Sequence, residues 1–235
     1  MVPIELDRTR ETIMSTLTAA TPATTDHAPR RGAATTLAVL TALAVVGGLV
    51  APDRTQGSGM DGMSMTHYMG LLAVQQPWNL LLFMAIPVIL AETLAITELV
   101  ILFARPAPSW VHGLSRWAGL LAGPVMVAIL VHLLRHAVIP LTLDGGWRGP
   151  ADVIAVLAYL LGAVPMVGIS LVAAGLIARD ERHARKLHVV FVAVFLVVAH
   201  VAMIAGMLDP AVMGWTQGGG QHEMPGGTMM PGMHH

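Results

Sequence analysis

The sequence predicts an all-α, polytopic membrane protein: a bundle of about five transmembrane helices with a cytoplasmic N-terminus and an extracytoplasmic C-terminus. Hydrophobic residues make up 55% of the 235-residue chain and charged residues only 11%, whereas an average soluble domain carries about 25% charged residues. Several apolar runs are long enough to cross a bilayer as helices. The net charge of −1 offers no electrostatic basis for binding nucleic acid, so the lipid bilayer is the first partner expected.

Three regions follow one another along the chain. Residues 1–32 are rich in Thr, Ala and Pro without apolar periodicity, which predicts a disordered cytoplasmic leader. A membrane domain occupies residues 33–208, and its spans are predicted at residues 33–51, 78–104, 117–139, 152–178 and 188–208. It includes a Met-rich outer loop at residues 59–70, and residues 209–235 form a Met- and His-rich tail rich in Gly and Pro, which predicts a flexible arm.

The first span is weakly hydrophobic and has two interpretations. It fits an uncleaved anchor, and it also fits the apolar core of a cleaved signal sequence. The length of the leader favours the anchor. Short connections between the remaining spans favour one antiparallel bundle over separate domains.

The distribution of positive charge predicts the orientation in the membrane. If the N-terminus is cytoplasmic, ten Lys and Arg residues lie on the inner side and three, Arg54, Arg135 and Arg148, on the outer side. Cytoplasmic loops carry the excess of positive charge in membrane proteins. The Met-rich loop and the tail then both lie outside, on a multi-pass protein of the bacterial cytoplasmic (inner) membrane.

Methionine is the unusual residue of this chain. There are 16 Met and no Cys, and nine of the Met residues fall outside the apolar spans, where core packing does not explain them. Thioether sulfur is a soft ligand, so Met and His clusters without Cys favour Cu(I) over harder divalent metals. The predicted outer-face ligands are Met60, Met63, Met65, His67 and Met69 in the loop, and His222, Met224, Met229, Met230, Met233, His234 and His235 in the tail.

A second set of soft ligands lies within the spans. His132 and His136 are four residues apart, so they share one helix face and can chelate one ion. His200, Met203 and Met207 form a stripe on the last span, at a similar or more outward depth. A ladder of ligands descending from the Met-rich loop is one interpretation; hydrogen bonding between helices and ordinary packing are the other.

Two carboxylates interrupt the second span. Glu92 and Glu98 each cost about 2.5 to 3.5 kcal/mol at the centre of a membrane helix, so each is expected to have a compensating role as an ion partner or proton carrier. Their six-residue separation places them about 120° apart around the helix, so they are not expected to coordinate one ion together. Glu92 is the deeper candidate, whereas Glu98 lies close enough to the inner end to pair with Arg105 or Arg116. Thr93 and Thr97 are expected to bond back to their own helix.

Three prolines, Pro87, Pro124 and Pro165, lie near the middle of spans two, three and four. Each removes a helical hydrogen bond and frees a carbonyl that needs another partner. Broken membrane helices line polar cavities in transporters, although kinks also serve packing.

The segment MSMTHYMGLLAVQQPWNLLLFMAIPVILAETLAITELVIL resembles a group of uncharacterised actinobacterial multispan membrane proteins labelled permease-like. The resemblance covers spans two to five and implies no tested activity. The outward Met clusters are similar in type to those of the copper uptake transporters, which collect Cu(I) with Met motifs, although the number of spans differs.

The sequence therefore predicts a non-enzymatic membrane protein that binds Cu(I) on its outer face and transports it or delivers it to a partner. That partner would be a copper-dependent enzyme or an extracytoplasmic metallochaperone, and a homo-oligomer is compatible with so few spans. Two alternatives stay open. One is a redox protein in which His132 or His136 and His200 ligate a b-type haem; the other is a non-catalytic subunit of a membrane complex.

Overall fold

The computed structural model describes residues 31–55, 65–104, 106–178 and 180–216. These residues form helices and no strand. The helices are α1 (Arg31–Val50), α2 (His67–Ala73), α3 (Trp78–Phe103), α4 (Ser109–Leu143), α5 (Pro150–Leu161), α6 (Ala163–Ala173) and α7 (Glu181–Met207), followed by a 3-10 helix at Pro210–Met213.

The predicted membrane fold is confirmed. Five helical stretches are long and apolar enough to cross a membrane, namely α1, α3, α4, the α5–α6 pair and α7. Residues 1–30 of the N-terminal leader, residues 59–64 of the Met-rich loop and the tail from residue 217 onward lie outside the described residues.

Two spans begin earlier than the sequence analysis placed them. Helix α4 begins at Ser109 instead of residue 117, directly after Pro108. Helix α7 begins at Glu181 instead of residue 188, because the carboxylate of Asp180 accepts a hydrogen bond from the His183 N–H at 2.6 Å and so caps the first turn. The connection predicted between the spans at residues 152–178 and 188–208 is therefore partly helical.

Four of the five spans form a ring around a common core. Helix α4 packs against α3 and α6, while α7 packs against α3, α5 and α6. The core residues come from all four spans, including Leu94, Met126, Met166 and Phe195. Helix α1 packs on the outside of α4, and only 17% of its residues are buried against 67% in the α5–α6 span, so α1 is peripheral.

Helices α4 and α6 approach closely through small residues. Gly119 and Gly123 have the spacing of a small-xxx-small motif. A Cβ atom at Gly119 would lie 2.8 Å from Cβ of Ala173, and one at Gly123 would lie 2.7 Å from Oγ of Ser170. The Ser170 hydroxyl donates to the Gly119 carbonyl at 2.7 Å and accepts from the Gly123 N–H at 2.7 Å, so this contact is also hydrogen-bonded.

Helix α3 illustrates how proline shapes the spans. Its segment Leu81–Ala85 is a π-helix that ends just before Pro87. Proline has no N–H and its ring crowds the carbonyl four residues earlier, which here belongs to Phe83. That carbonyl accepts a short hydrogen bond from the buried hydroxyl of Tyr159, so the polar group freed by Pro87 is used to join α3 to α5.

The same rule operates twice in α4. The π-helical segment Leu134–Val138 precedes Pro140, and the freed carbonyl of His136 lies 3.2 Å from the Thr55 hydroxyl. The carbonyl of Leu120, four residues before Pro124, faces the Ser170 hydroxyl at 3.4 Å. The expectation that mid-span prolines free carbonyls for other partners is thus confirmed in α3 and α4. In the fourth span the helix breaks at Gly162, before Pro165 is reached.

Different helix termini lie at the two ends of the bundle. The α2 end holds the C-termini of α1, α4 and α7 and the N-termini of α3 and α5. Contacts that tie this end together include those of Arg135 with the Leu49 carbonyl, Asn79 with the carbonyl of Arg54 at 2.9 Å, and Arg148 with the carbonyl of Met65 at 2.6 Å. The opposite end holds the C-terminus of α3 and the N-termini of α4 and α7.

Candidate functional site

His132 and His136 form the centre of the candidate site, at the α2 end of α4. Their ring centroids are 4.7 Å apart, and the His132 ring also stacks on Phe83 at 5.7 Å. Both nitrogens of His132 and Nε2 of His136 are buried without a hydrogen-bond partner among the described residues; the backbone of Gly48 lies near the His132 ring but outside hydrogen-bond geometry. Unpaired buried nitrogens are costly, so this pair is suited to a ligand that accepts imidazole lone pairs.

A carboxylate from the segment after α1 lies beside the pair. Oδ1 of Asp53 is 3.9 Å from Nδ1 of His136, and it accepts hydrogen bonds from the Thr55 hydroxyl at 2.6 Å and the Thr55 N–H at 2.8 Å. Burial alone would raise the pKa of Asp53, but these hydrogen bonds and then the charges of His136 and His132 outweigh it and lower the pKa below its ordinary value. Asp53 therefore brings a fixed negative charge to the site.

His67, at the start of α2, is held by a buried carboxylate. Its Nδ1 lies 2.6 Å from Oδ2 of Asp152, and its backbone N–H donates to Oδ1 at 2.6 Å. Asp152 is fully buried and also accepts from the Arg148 N–H at 3.1 Å. A carboxylate on one ring nitrogen fixes the tautomer and leaves Nε2 with its lone pair, the arrangement found behind metal-binding histidines.

One cavity is lined by both His67 and His136. It has a volume of about 140 Å³ and is lined by His67, His136, Thr55, Tyr68 and Tyr159, among others. Burial raises the pKa of Tyr68 to about 12, so its phenol stays neutral at physiological pH. Thr55 precedes and His67 follows residues 56–64, which lie outside the described residues, so the chain on both sides of that segment lines the same cavity as His136.

The described residues do not complete a metal site by themselves. No three His, Asp or Glu side chains within the described ranges are grouped closely enough to hold one ion. The pair His132 and His136 supplies two imidazoles, and any further ligand would come from movement of His67 or from thioether sulfur. Met60 and Met63, together with the predicted tail ligands from His222 to His235, lie outside the described residues.

The remaining predicted ligands are divided between the interior and the surface. Met65 and Met69 are half-buried beside His67, and Met203 is half-buried on α7. His200 is exposed on the surface of α7, with Nδ1 2.6 Å from the carbonyl of Leu196, and Met207 is 67% exposed. The structure therefore does not bring His200 together with the buried His132.

The two carboxylates of α3 also separate. Glu92 is exposed on the outer surface of the ring, away from the core. Glu98 turns inward at the opposite end, but its partners are His188 and Ser115; the predicted pairing with Arg116 is not among its contacts, and Arg105 lies outside the described residues. Thr97 donates to the Thr93 carbonyl at 2.7 Å, which confirms the expected bond to its own helix.

Sequence reasoning missed four polar residues of these clusters: Asp53, Asp152, Ser115 and His188. Asp152 had a local signal, because it follows Pro150 in the first turn of a span, where a carboxylate suits the helix dipole. The sequence places His188 only at the first residue of the predicted span 188–208. Recognising Asp180 as a helix N-cap would have placed His188 two turns inside α7, on the buried side.

A family model matches residues 63–222 of the chain, well over half of it. The chain belongs to DUF6803, a family of unknown function. The match covers α2 to α7 and so includes His67, His132 and His136 as well as Glu98 and His188, whereas Asp53, Thr55 and α1 precede it. No curated protein and no solved structure matches the chain. DUF6803 membership therefore supplies no activity, and a function has to be argued from the side chains.

Proposed function

We propose that this DUF6803 protein binds Cu(I) at the α2 end of its bundle and transports it or delivers it to a partner. The observation that supports this most directly is the pair of His132 and His136, whose rings are 4.7 Å apart and carry three buried nitrogens that no described residue meets in hydrogen-bond geometry. The copper ion would be cargo and not a resident catalytic group.

The donor set fits a soft monovalent cation. Neutral imidazole is a good ligand for copper, and thioether sulfur selects Cu(I) in particular. In this proposal His132 and His136 hold the ion within the bundle, while Asp53, 3.9 Å from His136, provides a compensating negative charge. A cation gains from a fixed carboxylate most where water is scarce.

His67 would connect the methionines of the Met-rich loop with the pair of His132 and His136. Asp152 orients its ring so that Nε2 remains available, and His67 lines the same cavity as His136. Met60, Met63, Met65 and Met69 would collect the ion before it reaches this cavity, and the tail would add further thioethers. On the predicted topology this capture takes place outside the membrane.

The test is a Cu(I) competition titration of the full-length protein in detergent, with metal content measured in parallel. If each imidazole is a ligand, His132→Gln and His136→Gln should each weaken the apparent affinity at least tenfold, about 1.4 kcal/mol. Replacing Met60, Met63, Met65 and Met69 by Leu and deleting the tail after Gln217 should reduce the number of ions bound.

His112→Gln is the matched control, because His112 is exposed near the start of α4, at the opposite end, and the same substitution there should leave the affinity unchanged. Wild-type protein that binds no Cu(I), or binding that survives both histidine substitutions and the Met-to-Leu variant, would contradict the proposal.

A second function, as a subunit of a larger membrane assembly, is favoured by Glu92. It is the fifteenth residue of the 26-residue α3 and is exposed to the surroundings of the bundle. No hydrogen bond or ion pair within the described part of the chain reaches it. A carboxylate at this depth would gain from a polar partner on a neighbouring chain, and a stable complex that co-purifies without binding copper would support this role instead.

A further inference from the structure

We propose that Glu98, Ser115 and His188 form a proton-exchange site at the end of the bundle opposite the histidine pair. The site joins three helices, since Glu98 lies near the end of α3, Ser115 in the second turn of α4 and His188 two turns inside α7. It goes beyond copper binding, because it assigns a protonation step to a separate cluster.

The geometry is that of a histidine base, His188, whose ring is held in position by the Glu98 carboxylate. Oε1 of Glu98 lies 3.2 Å from Nδ1 of His188 and accepts the Ser115 hydroxyl at 3.0 Å. A carboxylate accepts from the protonated ring nitrogen, so the neutral His188 carries its proton on Nδ1. The lone pair is then on Nε2, which is buried without a hydrogen-bond partner among the described residues.

A pocket of about 280 Å³ lies against this cluster. Its lining includes His188, Glu98 and Ser115 together with four further titratable or charged residues: His112 and Arg116 of α4 and Glu181 and Arg185 of α7. Arg185 forms an ion pair with Glu181 at 3.7 Å and also acts electrostatically on Glu98. The exposed residues in this lining, His112, Arg116 and Glu181, give the pocket access to water at this end of the bundle.

The proposed step is a reversible proton transfer. A hydronium ion in the pocket donates its proton to Nε2 of His188 and leaves as water, and the imidazole becomes an imidazolium. The new positive charge is neutralised by the Glu98 carboxylate, which keeps its hydrogen bond to Nδ1. Release follows the reverse path. The pair alternates between net negative and net neutral, so proton binding reduces the charge that must be kept within the membrane.

The site gives the bundle a means of responding to pH at one end while a cation binds at the other. The test must not depend on copper. Full-length protein is labelled with ¹⁵N-histidine and reconstituted without metal, and its imidazole resonances are followed from pH 5 to pH 9. The signal of His188 is identified by its loss in His188→Gln.

We expect His188 to change from the neutral Nδ1–H tautomer to the imidazolium within this range. Glu98→Gln should make protonation of this ring less favourable, because the imidazolium loses its counter-charge. Ser115→Ala removes one hydrogen bond to the carboxylate and should have a smaller effect of the same kind. It is the variant to measure if Glu98→Gln does not fold. Glu92→Gln is the matched control and should leave the midpoint unchanged.

The proposal is overturned if the His188 resonance does not move between pH 5 and pH 9, or if it titrates identically in wild type and Glu98→Gln. Either result would make the cluster a static contact between helices. Neither result depends on whether the protein binds Cu(I), so the two proposals fail separately.

Discussion

Asp152 is the residue on which the orientation of His67 depends. Its carboxylate is fully buried and accepts three hydrogen bonds, from Nδ1 and the backbone N–H of His67 and from the Arg148 N–H. A buried carboxylate is tolerated only when its lone pairs are satisfied in this way. The same contacts that compensate its burial therefore hold the N-terminus of α2 against α5.

Substituting Asp152→Asn should destabilise this end of the protein. The amide replaces one acceptor oxygen by an NH₂ group that faces donors, and leaving a buried donor unpaired costs about 1 to 3 kcal/mol. Thermal unfolding of the purified protein, followed by loss of its monodisperse elution peak, should show a lower midpoint. Asp144→Asn, at an exposed position at the same end, is the control, and equal midpoints for the two variants would contradict this role.

The sequence predicted which polar side chains lie together only where the two residues are close along the chain. His132 and His136 share one helix, so a separation of four residues was enough to predict that their rings lie together, as the structure confirms. The pairing of His67 with Asp152 spans 85 residues and that of Glu98 with His188 spans 90. Such pairs depend on which helices are neighbours and on their rotation, and a single sequence contains neither.

At the scale of helices, the contact between α4 and α6 relies on the absence of side chains. Gly123 is the closest point, where an added Cβ would lie 2.7 Å from Oγ and 2.9 Å from Cβ of Ser170 and 3.2 Å from the backbone of Val167. These atoms belong to a short side chain and the main chain, so they cannot move aside without shifting a helix. The hydrogen bonds of Ser170 to α4 depend on the same approach.

Gly123→Ala should therefore destabilise the bundle although alanine favours helices. Overpacking of this kind costs about 1 to 3 kcal/mol, and the thermal midpoint of the purified variant should fall. Gly113→Ala is the matched control, because among the described residues no atom beyond its own stretch of helix lies within 4 Å of the added methyl group, and it should be neutral or slightly stabilising. A Gly123→Ala protein as stable as the control would show that α4 and α6 can separate freely.

Helix ends were harder to predict than helix existence. The apolar runs sufficed to find five spans, but α4 begins eight residues before the predicted start, at Ser109. Trp110 and Trp117, near this end of the helix, are both exposed. Amphipathic aromatic side chains favour the interface between lipid and water, so the helix continues where the apolar run has ended. The proline rule was more useful, since the carbonyl freed by Pro87 could be named from the sequence, whereas its partner Tyr159 could not.

Among the described residues, the two histidine clusters lie at opposite ends of the bundle, and the core between them is mainly apolar. Leu94, Met126, Met166, Ile169 and Phe195 are all fully buried between them. Within the described residues, Met126 and Met166 are the soft ligands at the centre of this core. Passage of an ion from one end to the other would require rearrangement of this packing, whereas delivery to a partner at the α2 end would not.

The side of the membrane that each end faces determines what the histidine pair can meet. The predicted orientation places ten positive residues inside and three outside, which puts the α2 end outside. The chain has no cysteine, so single-cysteine variants report on one position each. Gln76→Cys and Asp144→Cys lie at the α2 end and Ser109→Cys and Glu181→Cys at the opposite end, and all four positions are exposed.

In spheroplasts, a membrane-impermeant maleimide should label Gln76→Cys and Asp144→Cys, while Ser109→Cys and Glu181→Cys should react only after the membrane is permeabilised. Full reactivity of all four after permeabilisation is the control for accessibility. The reverse pattern would place His132 and His136 on the cytoplasmic side, where thiol-containing proteins compete for Cu(I). Capture of external copper would then be excluded, and the Glu98–His188 pocket would face the extracytoplasmic side.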